Sequence, residues 1–178
     1  MKKSVFKFGG LAALSILVLI SISLFLLNDL SFGMQEVVGY LSILIAVSFA
    51  FFGIKSYRDN ELNGKISFGR ALAMGMLISL IPAVAFGAFD VIYIVYLNPE
   101  FVDVYYANEI ANVKKEFSGA ELASKIAEME DMKEMASSPA FNFILMTVTV
   151  LIIGFIVSLI SAVTLRRSWV IKGGSRNS

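Results

Sequence analysis

The sequence has no cysteine and no histidine, and only three prolines in 178 residues. Without cysteine there are no disulfides, no thiolate metal sites and no thiol nucleophile. Without histidine, the side chain most often used as a general acid or base near neutral pH is missing too. Charge is scarce: 16% of residues are Asp, Glu, Lys or Arg, against roughly 25% in a soluble domain. The basic residues flank apolar runs and form no single basic face, so nucleic acid is not an expected partner. No paired carboxylates, nucleophile with a base, or metal-ligand cluster is visible, which points away from an enzyme and from any metal or cofactor.

What the sequence has in excess is apolar surface. Hydrophobic residues make up 57% of the chain and the mean hydropathy is +0.78, where soluble domains have about 45–50% apolar residues. A membrane-spanning helix needs about 20 apolar residues. Four stretches qualify, over 8–27, 37–54, 71–97 and 141–165, and the third contains one acid, Asp90. The expectation is therefore an all-α protein, a four-helix transmembrane bundle forming one integral membrane domain over 1–178 with the lipid bilayer as its surroundings. Lys2, Lys3 and Lys7 before the first stretch imitate a secretory signal. The apolar run is longer than the roughly 7–15 residues of a signal core and no small-residue cleavage motif follows, so a retained helix is expected.

Direction follows from the Lys and Arg residues. The N-terminal segment has three, the segment 52–70 has four (Lys55, Arg58, Lys65, Arg70) and the segment after Leu165 has four (Arg166, Arg167, Lys172, Arg176). These eleven stand against none in 28–36 and four in 98–140. The positive-inside rule then places both termini in the cytoplasm and the 98–140 loop outside. That loop carries nine acids against its four lysines. The pattern predicts helices over Val104–Phe117, with Ile110, Val113 and Phe117 on one face, and over Ala120–Ala136, with Leu122, Ile126 and Met129 in a stripe. Both are expected to be amphipathic. Ser118 and Glu121 match a capping box. Glu128, Glu130 and Asp131 read as a solvated acidic face, since they lack the alternating ligands and glycine of a calcium loop.

The segment 52–70 has more order than orientation requires. Lys55, Arg58 and Asp59 fall near one another on a helix continuing past the membrane surface, and Glu61 and Lys65 have pairing distance for i, i+4. Asn63-Gly64 signals a turn and Ser67 a helix cap. An Arg58–Asp59 clamp between helix ends is the sharper reading, with Lys55 and Arg70 serving orientation. The run GIKSYRDNELNGKISFGRA, Gly53 to Ala71, resembles the signature loop of an uncharacterised bacterial family of small four-helix membrane proteins. The run GFIVSLISAVTLRR, Gly154 to Arg167, is similar to that family's last helix. The resemblance implies a multi-pass protein of the bacterial cytoplasmic (inner) membrane, with no assigned function and no catalytic or binding residue to carry over.

Asp90 is the most unusual residue. An intramembrane acid normally faces a bundle interior or water. Three states stay open: a neutral, hydrogen-bonded acid, a hydrated one near the outer interface beside Tyr93 and Tyr96, or one lining a proton or cation path. Matching depths along the helices places Thr147, Ser21 and Ser42 in its layer. Small residues recur every four positions: Ala46 and Ala50; Ala71, Gly75, Ser79, Ala83 and Gly87; Gly154, Ser158 and Ala162. Such spacing lets backbones approach closely, either inside the bundle or across a homo-oligomer. The functional expectation is a non-enzymatic membrane protein that assembles with or modulates other envelope proteins. The alternative is a small transporter or channel subunit using Asp90.

Overall fold

The computed structural model describes residues 1–26 and 29–166 and is helical throughout, with no strands among them. Four helices are long and apolar enough to cross a membrane. They are α1 (Lys2–Leu26), α2 (Phe32–Glu61), α3 (Phe68–Ile92) and α6 (Pro139–Leu165), and α3 continues through a π-helical segment, Tyr93–Leu97. Two further helices, α4 (Phe101–Glu116) and α5 (Gly119–Ala136), fill the connection between α3 and α6. Each spanning helix starts before the apolar stretch that predicts it; α1 and α2 do so by taking in charged and polar residues, which are compatible with helix.

The bundle distributes its side chains in the reverse of a soluble protein. Leu14, Ile144 and Ile160 each expose 61% of their surface, whereas Ser79 and Ser158 expose none. Large apolar groups outside and small or polar groups inside are what hydrocarbon surroundings select. The closest helix pair is α3 with α6, and the small-residue stripes explain it. A Cβ on Gly75 would lie 2.5 Å from the Ser158 hydroxyl, and one on Gly154 would lie 2.6 Å from the Ser79 Cβ. Each glycine thus receives the serine of the facing helix, and the two stripes are consumed within the chain.

Two apolar cores stack along the bundle. One, at the end rich in Lys and Arg, gathers Val5, Ile54, Tyr57, Ile66, Met74, Ile78 and Leu165. The other, toward α4 and α5, gathers Ile16, Ile20, Ile43, Val47, Phe86 and Val150. Val5 and Leu165 in one cluster show that the start of α1 and the end of α6 lie at the same end.

Several local expectations are corrected. Ser67 precedes α3 but its side chain makes no capping bond. The Ser118 capping box is not formed: the chain enters α5 through Gly119 at φ +62°, and the Ser118 hydroxyl accepts from no first-turn amide. Ser138-Pro139 lies between α5 and α6, and the Ser138 side chain accepts from the Phe141 N–H with proline at the head of α6. Glu61 and Lys65 do not pair, because α2 stops at Glu61 and the chain turns through Asn63 (φ 51°) and Gly64 (φ 77°). Glu61 instead accepts from the Ser4 hydroxyl at 3.0 Å, joining α2 to α1.

Candidate functional site

At the end opposite Lys55, Arg58 and Arg70, α3 stops in a particular way. The Asn98 N–H reaches back five residues to the Tyr93 carbonyl at 2.7 Å, and its side-chain amide donates to the Tyr93 hydroxyl at 3.0 Å. Pro99 follows and cannot continue the ladder. This fixes the Tyr93 ring, whose centroid lies 5.4 Å from that of Phe101 at the head of α4. Phe101 stacks on Tyr105 at 6.1 Å, and Tyr105 meets Phe32 of α2 edge-on at 5.7 Å. Offset and edge contacts of this kind contribute about 0.5–1.5 kcal/mol each beyond burial. Four rings from three elements therefore seat α4 across the end of the bundle. Burial, with the Glu36 and Glu109 carboxylates next in effect, pushes the Tyr105 hydroxyl above the usual phenol range.

The far side of this end is tied by Asn142. Its buried amide donates to the carbonyls of Ala136 and Ser138, the latter at 3.1 Å, and so closes the turn between α5 and α6. Lys133 of α5 pairs with Asp103 of α4 at 2.7 Å. On these two helices Ile110, Val113, Leu122, Ile126 and Met129 are half-buried and the acids Glu128, Glu130 and Asp131 are exposed.

Between the aromatic seat and the bundle lies a cleft of about 410 Å³, lined by α1, α2, α3, α4 and α6. Asp90 forms part of its wall, together with Glu36, Tyr40, Phe86, Tyr93, Phe101, Tyr105, Tyr106, Asn142 and Thr149. The Asp90 Oδ2 is buried and has no hydrogen-bond partner among the described residues. A buried carboxylate oxygen without a donor is costly, so the site is poised to receive one.

The structure does not assemble the polar layer that depth matching suggests. Ser21 is not on the cleft wall, whereas Ser23, two residues on, is. Ser42 is buried, and its hydroxyl donates to the Val38 carbonyl of its own helix at 2.7 Å. Thr147 lies against Gly87, one turn before Asp90; its hydroxyl is also buried and unpartnered. Thr149 reaches the cleft, but its hydroxyl donates to the Leu145 carbonyl at 2.8 Å. Glu36 and the α4 aromatics were not foreseen as neighbours of Asp90. The spacing Phe101, Tyr105, at i, i+4, is the signal that could have found one wall.

At the opposite end, Arg58 uses its fork on two partners. Its Nε donates to Asp59 at 2.7 Å, and its Nη1 donates to the Leu165 carbonyl at 3.3 Å. The guanidinium thus caps the C-terminal end of α6, where a cation also meets the negative end of the helix dipole. Asp59 engages Arg58 on its own helix. Arg167, expected near this pair, lies outside the described residues. Lys55 and Arg70 are exposed at the same end.

Four lipid-compatible helices around a small-residue seam, with polar groups turned inward, are the build of a helical membrane protein. Over residues 7–167 the chain matches the family described as Protein of unknown function (DUF4199), and it belongs to that family. Comparisons with curated proteins and with solved structures give no match.

Proposed function

We propose that this is a non-enzymatic multi-pass protein of a bacterial cytoplasmic membrane, with both termini cytoplasmic, which works by assembling with or modulating other envelope proteins through its outer end. The observation that carries this reading is the α4–α5 pair. It leaves only Ala136 buried and carries eight acids against four lysines, all of them exposed except the half-buried Glu109, Lys125 and Lys133. A surface of that balance suits a basic partner surface, since complementary potentials guide encounter and fix register. It also disfavours simple adhesion to anionic lipid. The amphipathic character expected of both helices is consistent with Ile110, Val113, Leu122, Ile126 and Met129 being half-buried.

The orientation rests on the eleven-to-four distribution of Lys and Arg. Single cysteines at Asn60 and Ser118 test it in intact cells: Ser118→Cys should label from outside and Asn60→Cys should not. The reverse pattern would invert the protein. Assembly is tested by photo-crosslinking from Glu128 and Glu130 after mild detergent extraction. A reproducible protein adduct is expected, and its loss on Glu128→Lys with Glu130→Lys would identify the acidic face. A monodisperse lone chain with no adduct would remove the reading.

A second reading is favoured by Asp90 alone, a cleft-lining acid with one buried oxygen unpartnered among the described residues. It is a small transporter or channel subunit. Proton or cation flux into liposomes should then be present for the native chain and absent for Asp90→Asn. No flux from either would end it.

A further inference from the structure

The cleft beside Asp90 has aromatic walls and charges of one sign. Phe32, Tyr40, Phe101 and Tyr105 line it, and among the described residues its carboxylates are Asp90 and Glu36 and no Lys or Arg contributes to it. The two acids sit at different depths. Glu36 is exposed on α2, while the Asp90 Oδ2 is buried and unpartnered among the described residues. Tyr40, one turn after Glu36, exposes 51% of its surface, so the wall formed by these two residues is the approach.

The geometry points to this cleft as a binding site for a monovalent organic cation with an apolar body. The negative face of an aromatic ring attracts a cation, and the attraction grows as water is excluded. The outer carboxylate draws the ligand in, and the inner one gains from it the positive charge that no described residue lining the cleft provides. An anion would meet two carboxylates and no cation. A divalent metal takes six to eight oxygen ligands if calcium, or near-ideal octahedral oxygens if magnesium, and two acids at different depths offer neither. A lipid acyl chain would fill the aromatic space but leave the Asp90 oxygen desolvated and unmatched. A cleft of about 410 Å³ falls within the roughly 300–1,000 Å³ of small-molecule sites. The site stands whether or not the protein assembles with others, and whether or not it moves what it binds.

Tetraphenylphosphonium and tetraphenylborate test this directly, because they share one four-ring body and differ in the sign of the charge. Binding of each is measured by equilibrium dialysis against the full chain in nanodiscs of zwitterionic lipid, with empty nanodiscs subtracted. The phosphonium should bind saturably at one site per chain and the borate should not. Asp90→Asn should weaken the phosphonium about tenfold or more, since a buried charge loses its partner. Tyr40→Ala should weaken it about two- to fivefold, the range of an exposed cation–π contact. The Tyr40 side chain is half-exposed, so this variant reports binding even if Asp90→Asn does not fold. Asp90→Glu keeps the charge and should retain most of the affinity. Absence of saturable phosphonium binding would overturn the proposal. So would equal saturable binding of both ions, or affinity that Tyr40→Ala and a folded Asp90→Asn both leave within about twofold.

Discussion

The two ends of the bundle are built on opposite principles. At the end rich in Lys and Arg, side chains are spent on joining helices: Ser4 to Glu61, and Arg58 to the Leu165 carbonyl. The core beneath is closed, with Ile54, Met74 and Ile78 fully buried. At the other end the helices part around a cleft, the Asp90 oxygen has no donor, and the closure is made by aromatic rings and the Asn142 amide. Buried polar groups are normally satisfied. Among the described residues the packed seam also holds unpartnered buried hydroxyls, those of Ser79 and Ser158, so what sets the open end apart is an unpartnered carboxylate oxygen on a residue lining a cleft, and that is where a binding function has room. Hydrogen bonds between helices in lipid average only about 0.6 kcal/mol, so close packing must supply most of the difference in firmness.

The strongest way to break the firm part is to fill its seam. Gly75→Val places a branched side chain where even a Cβ lies 2.5 Å from the Ser158 hydroxyl and 3.2 Å from the Ile54 Cδ1. Overpacking of this kind costs about 1–3 kcal/mol, and thermal unfolding in mild detergent should fall accordingly. Gly39 on the cleft wall has no atom within 4 Å of its Cβ position. Gly39→Ala should therefore be neutral or stabilising by up to about 1 kcal/mol, the helix-propensity difference. Equal losses from the two variants would mean that the seam is no tighter than the cleft wall.

The opposite sign is expected at Asp90. Asp90→Leu removes a carboxylate with an unpartnered buried oxygen and replaces it with an apolar group of similar reach. Stability should rise by about 1–2 kcal/mol, at the expense of whatever the cleft binds. A fall instead would show that the acid is structurally paired. Ser158→Ala sharpens the point within the seam. The Ser158 hydroxyl is buried without a partner among the described residues, so its loss should leave stability unchanged or raise it by less than about 1 kcal/mol. A drop approaching that of Gly75→Val would mean the hydroxyl is bonded in the folded protein.

The firm part was easier to read from sequence than the open part. Spans, the Asn63-Gly64 turn and the small-residue stripes are local patterns, and local patterns carry their own periodicity. The stripes identified which helix faces pack closely, but not that Gly75 receives Ser158 while Gly154 receives Ser79; that choice depends on partner and register. The cleft depends on helix rotation. Ser21 and Ser23 differ by two residues, about 3 Å in depth, but by about 200° around the helix, so matching depth selected the serine that faces elsewhere. The π-helical segment and the α4 aromatics come from long-range docking across the chain, which a one-dimensional depth argument does not see. The capping expectations failed for another reason: Ser67 and Ser118 are good residues for the position, but the backbone enters each helix without directing the hydroxyl at the first-turn amides.

The smallest effects belong to Arg58 and Asp59, and their order is informative. A clamp centred on the ion pair would make both partners equally important. The geometry gives them different roles, because Arg58 alone crosses between helices and Asp59 stays on α2. Arg58→Ala loses the capping of α6 and should lower stability by about 0.6 kcal/mol, the average for a contact between helices in lipid. Arg58→Lys should retain part of this, since an ammonium can reach one of the two acceptors but cannot fork to both. Asp59→Asn keeps an oxygen beside the Arg58 Nε and leaves the Leu165 contact untouched, so its melting temperature should match the native chain. Orientation should be unchanged in all three, because Asp59 contributes little to it and ten Lys and Arg residues remain in the segments read as cytoplasmic even without Arg58. If Asp59→Asn were as damaging as Arg58→Ala, the acid would be holding the guanidinium in place for α6, and the ion pair rather than the arginine would join the two helices. If Arg58→Ala were silent as well, the closed end would owe its firmness to packing alone, and the ordered charges of the loop would serve orientation only.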